Sequence, residues 1–170
     1  IKDMASAVSG TPAFLNSDGD RIDVSAPWRV VSVCDALTER IGVPISIGLG
    51  VATLQDLCGA YGIGVGRDDT AGMLIERLYE ELIEAETTLP TFYTDFPSDT
   101  SPLARPHREI EGLSERWDLV AFGMELGTAY SELTDPIEQR RRLTAQSLKA
   151  ARGDAEAMQL DEDFLAALEF

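Results

Sequence analysis

The stretch RWDLVAFGMELGTAYSEL, Arg116–Leu133, carries three carboxylates at intervals of seven residues: Asp118, Glu125 and Glu132. An interval of seven would align them on one face of a helix. However, the two glycines and the neighbouring Trp, Val, Phe and Tyr side chains favour β-strands. We therefore predict an antiparallel hairpin that turns at residues 122–123.

The predicted hairpin brings two of these acids together. With a two-residue turn, Val120 lies opposite Glu125, and Asp118 shares their face of the sheet. Two carboxylates at that range repel each other in a half-buried sheet unless one is protonated or a cation bridges them. Mg²⁺ suits this position because it takes oxygen ligands and needs few from the protein. A second interpretation stays open, in which one acid faces solvent or pairs with an arginine such as Arg116.

The second strand of the hairpin offers a further set of polar side chains. Thr128, Tyr130 and Glu132 alternate and so share one face, whereas strict alternation would put Glu125 on the other face. A β-bulge at Gly127 would bring all of them to one site. A hydroxyl, an aromatic ring and a carboxylate together suit a small cationic ligand. The simpler interpretation makes Tyr130 a core residue and Glu132 a solvated strand end.

Composition narrows the class of protein. The chain has 170 residues, which suits one domain, and 44% of them are hydrophobic. Thirty acidic against fourteen basic residues give a formal net charge of −16. Such a charge repels phosphate backbones and excludes a self-sufficient nucleic-acid-binding protein. Any contact with tRNA or DNA is therefore expected to be local or to lie elsewhere in a larger protein.

The rest of the chain alternates strand and helix patterns, which predicts an α+β fold, and we expect it to be built on an antiparallel sheet with flanking helices. Apolar spacing and capping residues indicate a helix closed by Gly10 and helices at residues 30–41, 54–61, 70–86, from 136 onward and 161–170. Strands are predicted between Pro90 and Pro97 and in a hairpin over residues 12–25 that turns at Asp18-Gly19. Asp69 and Asp135 are the predicted N-caps of two helices. The basic run Glu138–Arg142 is predicted to be a solvated helix face.

The cysteines and the N-terminal residues bear on the cellular compartment and on whether the chain is part of a longer one. Cys34 and Cys58 are isolated in apolar helical patterns, so we expect two buried thiols in a reducing compartment and no disulfide. Neither a signal peptide nor a run of eighteen apolar residues is present. The first residue is Ile rather than Met, which favours a segment of a longer chain.

Three segments together closely resemble class II lysyl-tRNA synthetases: SPLARPHRE, ERWDLVAFGMELGTAYSELTDPIEQRRRL and DEDFLAALEF. The resemblance is strong over residues 90–170, which it identifies as catalytic-core strands and helices. Residues 1–89 match less closely and resemble the helical and hairpin segment that follows the second signature motif of the family. Within the family, ELGTAYSELTDP is most similar to the actinobacterial bifunctional type, in which the synthetase is fused to a membrane lysylphosphatidylglycerol synthase.

The resemblance implies a role for each acid of the hairpin. Family members place the carboxylates at the positions of Asp118 and Glu125 on magnesium bound with ATP, although most have Glu at position 118. The positions of Thr128, Tyr130 and Glu132 line the lysine pocket, and the last faces the ammonium group. Most members have Asn at 128 and many have Phe at 130, so the Thr here departs from the usual pattern.

The implied activity is ATP-dependent activation of lysine and its transfer to tRNA(Lys), in the cytoplasm and in a homodimeric parent protein. The resemblance leaves open whether that parent carries a membrane domain. The second and third motifs of the family, each with an ATP-binding arginine, should precede Ile1 and follow Phe170. The chain by itself is therefore predicted to be inactive. Two other hypotheses stay open: a ligase that attaches lysine to a protein, and a non-catalytic module that binds lysine or a partner.

Overall fold

The computed structural model describes residues 1–15, 19–153 and 157–170 and confirms the predicted α+β class. The elements are, in order, α1 (Lys2–Ser9), β1 (Ala13–Leu15), β2 (Arg21–Asp23), β3 (Arg29–Ser32), α2 (Val33–Ile41), α3 (Val51–Ala60), α4 (Ala71–Tyr79), a π-helical segment (Glu80–Glu84), β4 (Thr91–Thr94), β5 (Arg116–Ala121), β6 (Met124–Tyr130), α5 (Pro136–Ala151) and α6 (Glu162–Ala167).

A four-stranded sheet in the order β3-β4-β5-β6 organises the molecule. Strands β3 and β4 are parallel, and the other two pairs are antiparallel. Helices α2, α3 and α4 cover one face, where Leu37, Leu54 and Leu78 are fully buried with Tyr93 and Val120 of the sheet. Strand β6 forms one edge of this sheet.

The predicted hairpin is confirmed as β5 and β6, with Val120 opposite Glu125. The register shifts next to this pair, because Leu119 lies opposite Gly127 and leaves Leu126 as an extra residue. The bulge therefore forms one residue before its predicted position. An extra residue on one strand reverses the alternation of the side chains that follow it.

The helix predicted from residue 30 begins later. Arg29–Ser32 forms β3, which pairs with β4, and α2 starts at Val33. Ser32 caps this helix by accepting a hydrogen bond from the Asp35 N–H at 3.0 Å. Val30 is 66% exposed on the strand. The apolar spacing of α2 was correct from Val33 onward, but the parallel pairing with a distant strand determined its start.

The helix predicted over residues 70–86 divides into α4 and the π-helical segment. The predicted N-cap, Asp69, is wrong, because the Thr70 hydroxyl accepts the hydrogen bond from the Met73 N–H. Asp69 instead accepts a hydrogen bond at 3.0 Å from Arg77, which lies eight residues further along the chain. The Arg77 guanidinium lowers the pKa of the Asp69 carboxyl below its usual range.

Smaller predictions have mixed outcomes. Gly10 ends α1 with a left-handed φ of 73°, and Asp135 caps α5 through the Ile137 N–H, both as predicted. Strands β1 and β2 pair as the predicted hairpin, although Asp18 of its turn lies outside the described residues. Both cysteines are free thiols; Cys58 is buried and Cys34 is partly buried.

The basic run on α5 is only partly solvated. Arg140 and Arg141 are exposed as predicted, but the Arg142 side chain is only 8% exposed. Arg142 donates hydrogen bonds to the carbonyl oxygens of Ser101 at 3.1 Å and Ala104 at 2.9 Å. The prediction was wrong for Arg142 and for the fully buried Gln139, because the loop before β5 supplies carbonyl acceptors to both that no local pattern indicates. No helix within the described ranges is long and apolar enough to cross a membrane.

Candidate active site

The bulge gathers the polar side chains of the hairpin on one face. Thr128 lies opposite Asp118, and Tyr130 lies opposite Arg116. Directly opposed residues of two antiparallel strands point to the same face. Glu125, opposite Val120, therefore shares this face with Thr128 and Tyr130, as the sequence predicted. This is also the face that the helices cover.

Glu132 lies just beyond β6 and is positioned by the loop over residues 101–106. The Arg105 N–H donates to the Ser131 carbonyl oxygen at 2.7 Å, and the Leu133 N–H donates to Leu103 at 2.9 Å. Ala104 and Glu132 thus form a short antiparallel bridge. Arg142, bonded to the same loop, stabilises it from the opposite side. The Glu132 side chain is exposed.

Asp118 is paired with an arginine. Arg116 donates hydrogen bonds to both carboxylate oxygens, at 3.1 Å from Nε and 2.7 Å from Nη2. The Asp118 side chain is only 3% exposed, and Arg116 lies 4.1 Å from the centre of the Phe96 ring. Glu125 on the opposite strand is exposed. The structure therefore places one acid of the predicted pair on an arginine and the other in solvent.

Helix α4 adds further acids to this site. The Glu76 carboxylate lies 3.3 Å from Arg116, yet burial raises its pKa to about 7. Arg116 opposes that shift but does not cancel it, because its two shortest hydrogen bonds go to Asp118. Burial also raises the pKa of Glu84, and the negative charges of Glu125 and Asp118 raise it further. Acids from the helix and from the hairpin thus share one electrostatic environment.

The arrangement of these carboxylates suits a hard cation that keeps most of its water ligands better than an ion enclosed entirely by protein ligands. Within residues 1–15, 19–153 and 157–170, no three His, Cys, Asp or Glu side chains are arranged to hold a metal ion. Mg²⁺ keeps several waters and is bound by one or two carboxylates plus substrate phosphates. One buried donor also lacks a partner in the described structure, the hydroxyl of Tyr79, whose pKa is raised by burial and by Glu84 and Asp118. Carboxylates beside a buried hydroxyl that lacks a protein partner can accommodate a cation that keeps its water ligands.

A polar cleft of about 520 Å³ lies at the end of the hairpin, beside Tyr130. Arg116, Asp95 and His107 also line it, whereas Thr128 and Glu132 do not. The His107 Nδ1 accepts hydrogen bonds from two backbone N–H groups, which leaves Nε2 facing Asp95 at 3.6 Å. Thr128 and Tyr130 are therefore neighbours on β6 and Glu132 follows just beyond it, but of these three predicted lysine-pocket residues only Tyr130 lines this cleft.

Sequence reasoning missed the contribution of α4 and the segment after it. Glu76, Glu80 and Glu84 recur at intervals of four, and this spacing on an otherwise apolar helix was the available signal. Intervals of four usually describe a solvated helix face, so the signal was not specific. Only the tertiary packing shows that Glu76 meets Arg116 of the sheet and that Glu84 lies near Glu125 and Asp118.

The whole chain matches known proteins. A family model described as tRNA synthetases class II (D, K and N) matches residues 1–170. The chain is 51% identical to the "Lysylphosphatidylglycerol biosynthesis bifunctional protein LysX" of Mycobacterium tuberculosis, 52% to that of Gordonia bronchialis and 53% to that of Mycolicibacterium vanbaalenii. Each match covers 100% of this chain but only 15–16% of the relative. The similarity therefore includes residues 1–89, where the resemblance in the sequence was weaker.

Proposed function

The chain belongs to the class II tRNA synthetases of the D, K and N type, and we propose that it forms one wall of the active site of a lysine–tRNA ligase. The ligase activity is proposed for a longer protein that contains this segment, located in the cytoplasm and acting as a homodimer. The names of the relatives further support a role in which part of the lysyl-tRNA serves lysylphosphatidylglycerol synthesis.

One observation carries the proposal. The bulge at Leu126 puts Glu125, Thr128 and Tyr130 on the face of Asp118, with carboxylates at one end of the strand and an aromatic ring at the other. ATP brings a concentration of negative charge that needs a divalent ion, whereas lysine brings a positive ammonium group. A face with carboxylates at one end and an aromatic ring at the other, followed by Glu132 just beyond the strand, suits both requirements.

The proposed reaction has two steps. A carboxylate oxygen of lysine attacks the α-phosphorus of ATP, a new P–O bond forms, and the bond to pyrophosphate breaks. The resulting acyl phosphate then gives lysine to a hydroxyl at the 3′ end of tRNA, with AMP as the leaving group. Mg²⁺, when bound, neutralises phosphate charge. Asp118 and Glu125 would hold it, and the rigid hairpin would orient the groups for in-line displacement.

Selectivity for lysine is assigned to three side chains. Glu132 would accept hydrogen bonds from the ammonium group, Tyr130 would pack on the aliphatic chain, and Thr128 would contact the polar end of the substrate. A carboxylate that is desolvated by the substrate needs a cationic partner, so an amino acid without one is rejected strongly. Mutation of Glu132 should therefore change which amino acid binds, not only how tightly.

The decisive experiment is calorimetric titration of lysine, with and without Mg·ATP, into this chain and into the longer protein with both flanking motifs. We expect binding only by the longer protein, and we expect Glu132→Gln to lower its affinity for lysine by at least about tenfold, or 1.4 kcal/mol. Lysine-dependent exchange between ATP and pyrophosphate should follow the same pattern.

Other outcomes of this titration would contradict the proposal. Tight lysine binding by this chain alone, insensitive to Glu132→Gln, would indicate a binding module. Exchange without transfer to tRNA(Lys), together with lysine transfer to a protein, would indicate a protein-directed ligase. Exchange supported equally by norleucine, which has a side chain of similar length without the ammonium group, would remove the assignment of Glu132.

A further inference from the structure

Tyr79 is a buried phenol without a hydrogen-bond partner in the described part of the chain. The residue is 1% exposed, and its hydroxyl oxygen is inaccessible to solvent. Buried hydroxyls are nearly always paired with protein groups or ordered water. The neighbouring Tyr93 shows the usual arrangement, because its hydroxyl lies 2.8 Å from the Thr87 hydroxyl. The unpaired donor of Tyr79 therefore indicates a partner outside the polypeptide, such as an ordered water molecule.

The position of Tyr79 points it at the acids of the hairpin. Its ring packs edge-on against Tyr93 at 5.1 Å and against Phe96 at 5.3 Å. Tyr93 lies directly opposite Asp118 in the sheet, and Phe96 is covered by the guanidinium of Arg116. The charges of Glu84 and Asp118 reach the phenol and raise its pKa beyond the effect of burial. Tyr79 thus lies over the carboxylate site.

Glu84 reaches the same site from the end of the π-helical segment. The turn of the hairpin is bonded to the residues just after it, with the Gly123 N–H on the Thr87 carbonyl at 2.9 Å and the Phe122 N–H on Thr88 at 3.2 Å. A Cβ on Gly123 would lie 3.0 Å from the Ala85 carbonyl oxygen. Glu84, immediately before Ala85, is therefore held close to the start of β6 and to Glu125.

The π-helical segment brings these two side chains together. In an α-helix, residues five apart point about 140° away from each other. A π-helical turn closes its hydrogen bond between residues i and i+5, as in the 3.3 Å bond from the Ala85 N–H to the Glu80 carbonyl. Residues five apart, such as Tyr79 and Glu84, then lie closer to the same side of the helix than they would in an α-helix. Short π-helical turns inside helices occur frequently at functional sites.

We propose that Tyr79 and Glu84 are positioning residues that hold water molecules around a divalent cation bound at Asp118 and Glu125. This inference rests on the proposed function, since it assumes a cation at those two carboxylates. Tyr79 donates a hydrogen bond to a water or to the Glu84 carboxylate, and Glu84 accepts from a water on the ion. The role is indirect, which agrees with the absence of a three-acid cage in the described residues.

The test uses Mn²⁺, which takes the same oxygen ligands and is paramagnetic. Its affinity is measured by electron paramagnetic resonance, and its hydration by water-proton relaxation, in the longer protein with ATP present. Tyr79→Phe and Glu84→Gln should each weaken Mn²⁺ binding about tenfold and change the relaxation enhancement per bound ion. Glu84→Asp, which keeps the carboxylate, should restore part of the affinity.

Matched controls separate this role from a structural one. Tyr93→Phe removes a hydroxyl from the adjacent ring, and Glu81→Gln removes a neighbouring charge from the same segment. Both should leave Mn²⁺ affinity and hydration unchanged. Circular dichroism and urea unfolding report whether each variant is folded, and Tyr79→Phe keeps the ring that packs in the core.

The possible failures are distinguishable. If Asp118→Asn and Glu125→Gln abolish Mn²⁺ binding while Tyr79→Phe and Glu84→Gln bind like the wild type, the inference is overturned and the proposed metal site stands. If the wild type binds no Mn²⁺, or the two hairpin variants bind normally, the metal site and the inference both fail. Equal losses in the control variants would assign the effect to packing and also overturn the inference.

Discussion

The acidic face of the hairpin has two halves that use the same chemical groups differently. On β5, Asp118 is buried and held by Arg116, with Glu76 of α4 on the same guanidinium. Glu125 and Thr128 on β6 are exposed, and so is Glu132 just beyond it. A buried carboxylate requires a permanent counter-charge, whereas an exposed one is free to exchange water for a ligand. The first half therefore contributes to stability as well as to the proposed metal site, whereas the second half contributes to binding alone, and the following variants test this division.

Removal of Arg116, the counter-charge of the buried half, should have the largest effect on the free energy of unfolding. Arg116→Met leaves Asp118 and Glu76 without their cation, and loss of one partner of a buried ion pair costs about 3–5 kcal/mol. Urea unfolding of the variant measures the loss. The double variant with Asp118→Asn should recover part of it, because the uncompensated charge is gone. A cost below about 1 kcal/mol would mean that the pair is effectively solvated.

The pH dependence of stability should identify Glu76. Burial raises its pKa to about 7 in the folded state from 4.5. The folded state then binds the proton more tightly, so stability is greatest below pH 4.5 for this group and falls as the pH rises toward 7. The loss is up to about 3 kcal/mol. The difference in unfolding free energy between the wild type and Glu76→Gln should follow this curve; a difference independent of pH would contradict it.

Two buried tyrosines near Asp118, Tyr93 and Tyr79, should differ in the loss of stability that substitution by Phe causes. Tyr93→Phe breaks the bond with Thr87 and should cost about 1 kcal/mol. Tyr79→Phe removes a hydroxyl that has no protein partner in the described structure, so in the absence of divalent ions its cost should be close to zero or slightly favourable. Thermal unfolding in the presence of a chelator compares them. Equal costs would indicate that Tyr79 has a partner of its own.

The exposed half should show the smallest change in stability. Glu125→Gln removes an exposed charge next to other acids, so the free energy of unfolding should change by less than about 0.5 kcal/mol. The same variant should nevertheless lose most of its affinity for Mn²⁺ in the presence of ATP. A large destabilisation would show that Glu125 is part of the packed structure, and the division between the two halves would be wrong.

The strands and the bulge could be predicted because their signals are local. Glycine, aromatic and β-branched residues identified the hairpin, and the alternation of Thr128, Tyr130 and Glu132 required an irregularity before them. The predictions that failed depended on distant partners. Helix α2 begins later than predicted because β3 pairs with β4, and Arg142 is buried because it donates hydrogen bonds to loop carbonyl oxygens. Asp69 failed as an N-cap because Arg77 engages it.

By itself, the sequence determined that carboxylates converge on a bulged hairpin, since side-chain alternation along a strand follows from backbone geometry and needs only neighbouring residues. It did not determine which carboxylate is free to bind a ligand. Only the tertiary structure decided that Arg116 engages Asp118, that burial raises the pKa of Glu76, and that the segment between Tyr79 and Glu84 is π-helical. The physical reason is that burial and charge pairing are set by groups distant in the chain, and these two quantities control whether an acid is neutral, compensated or available.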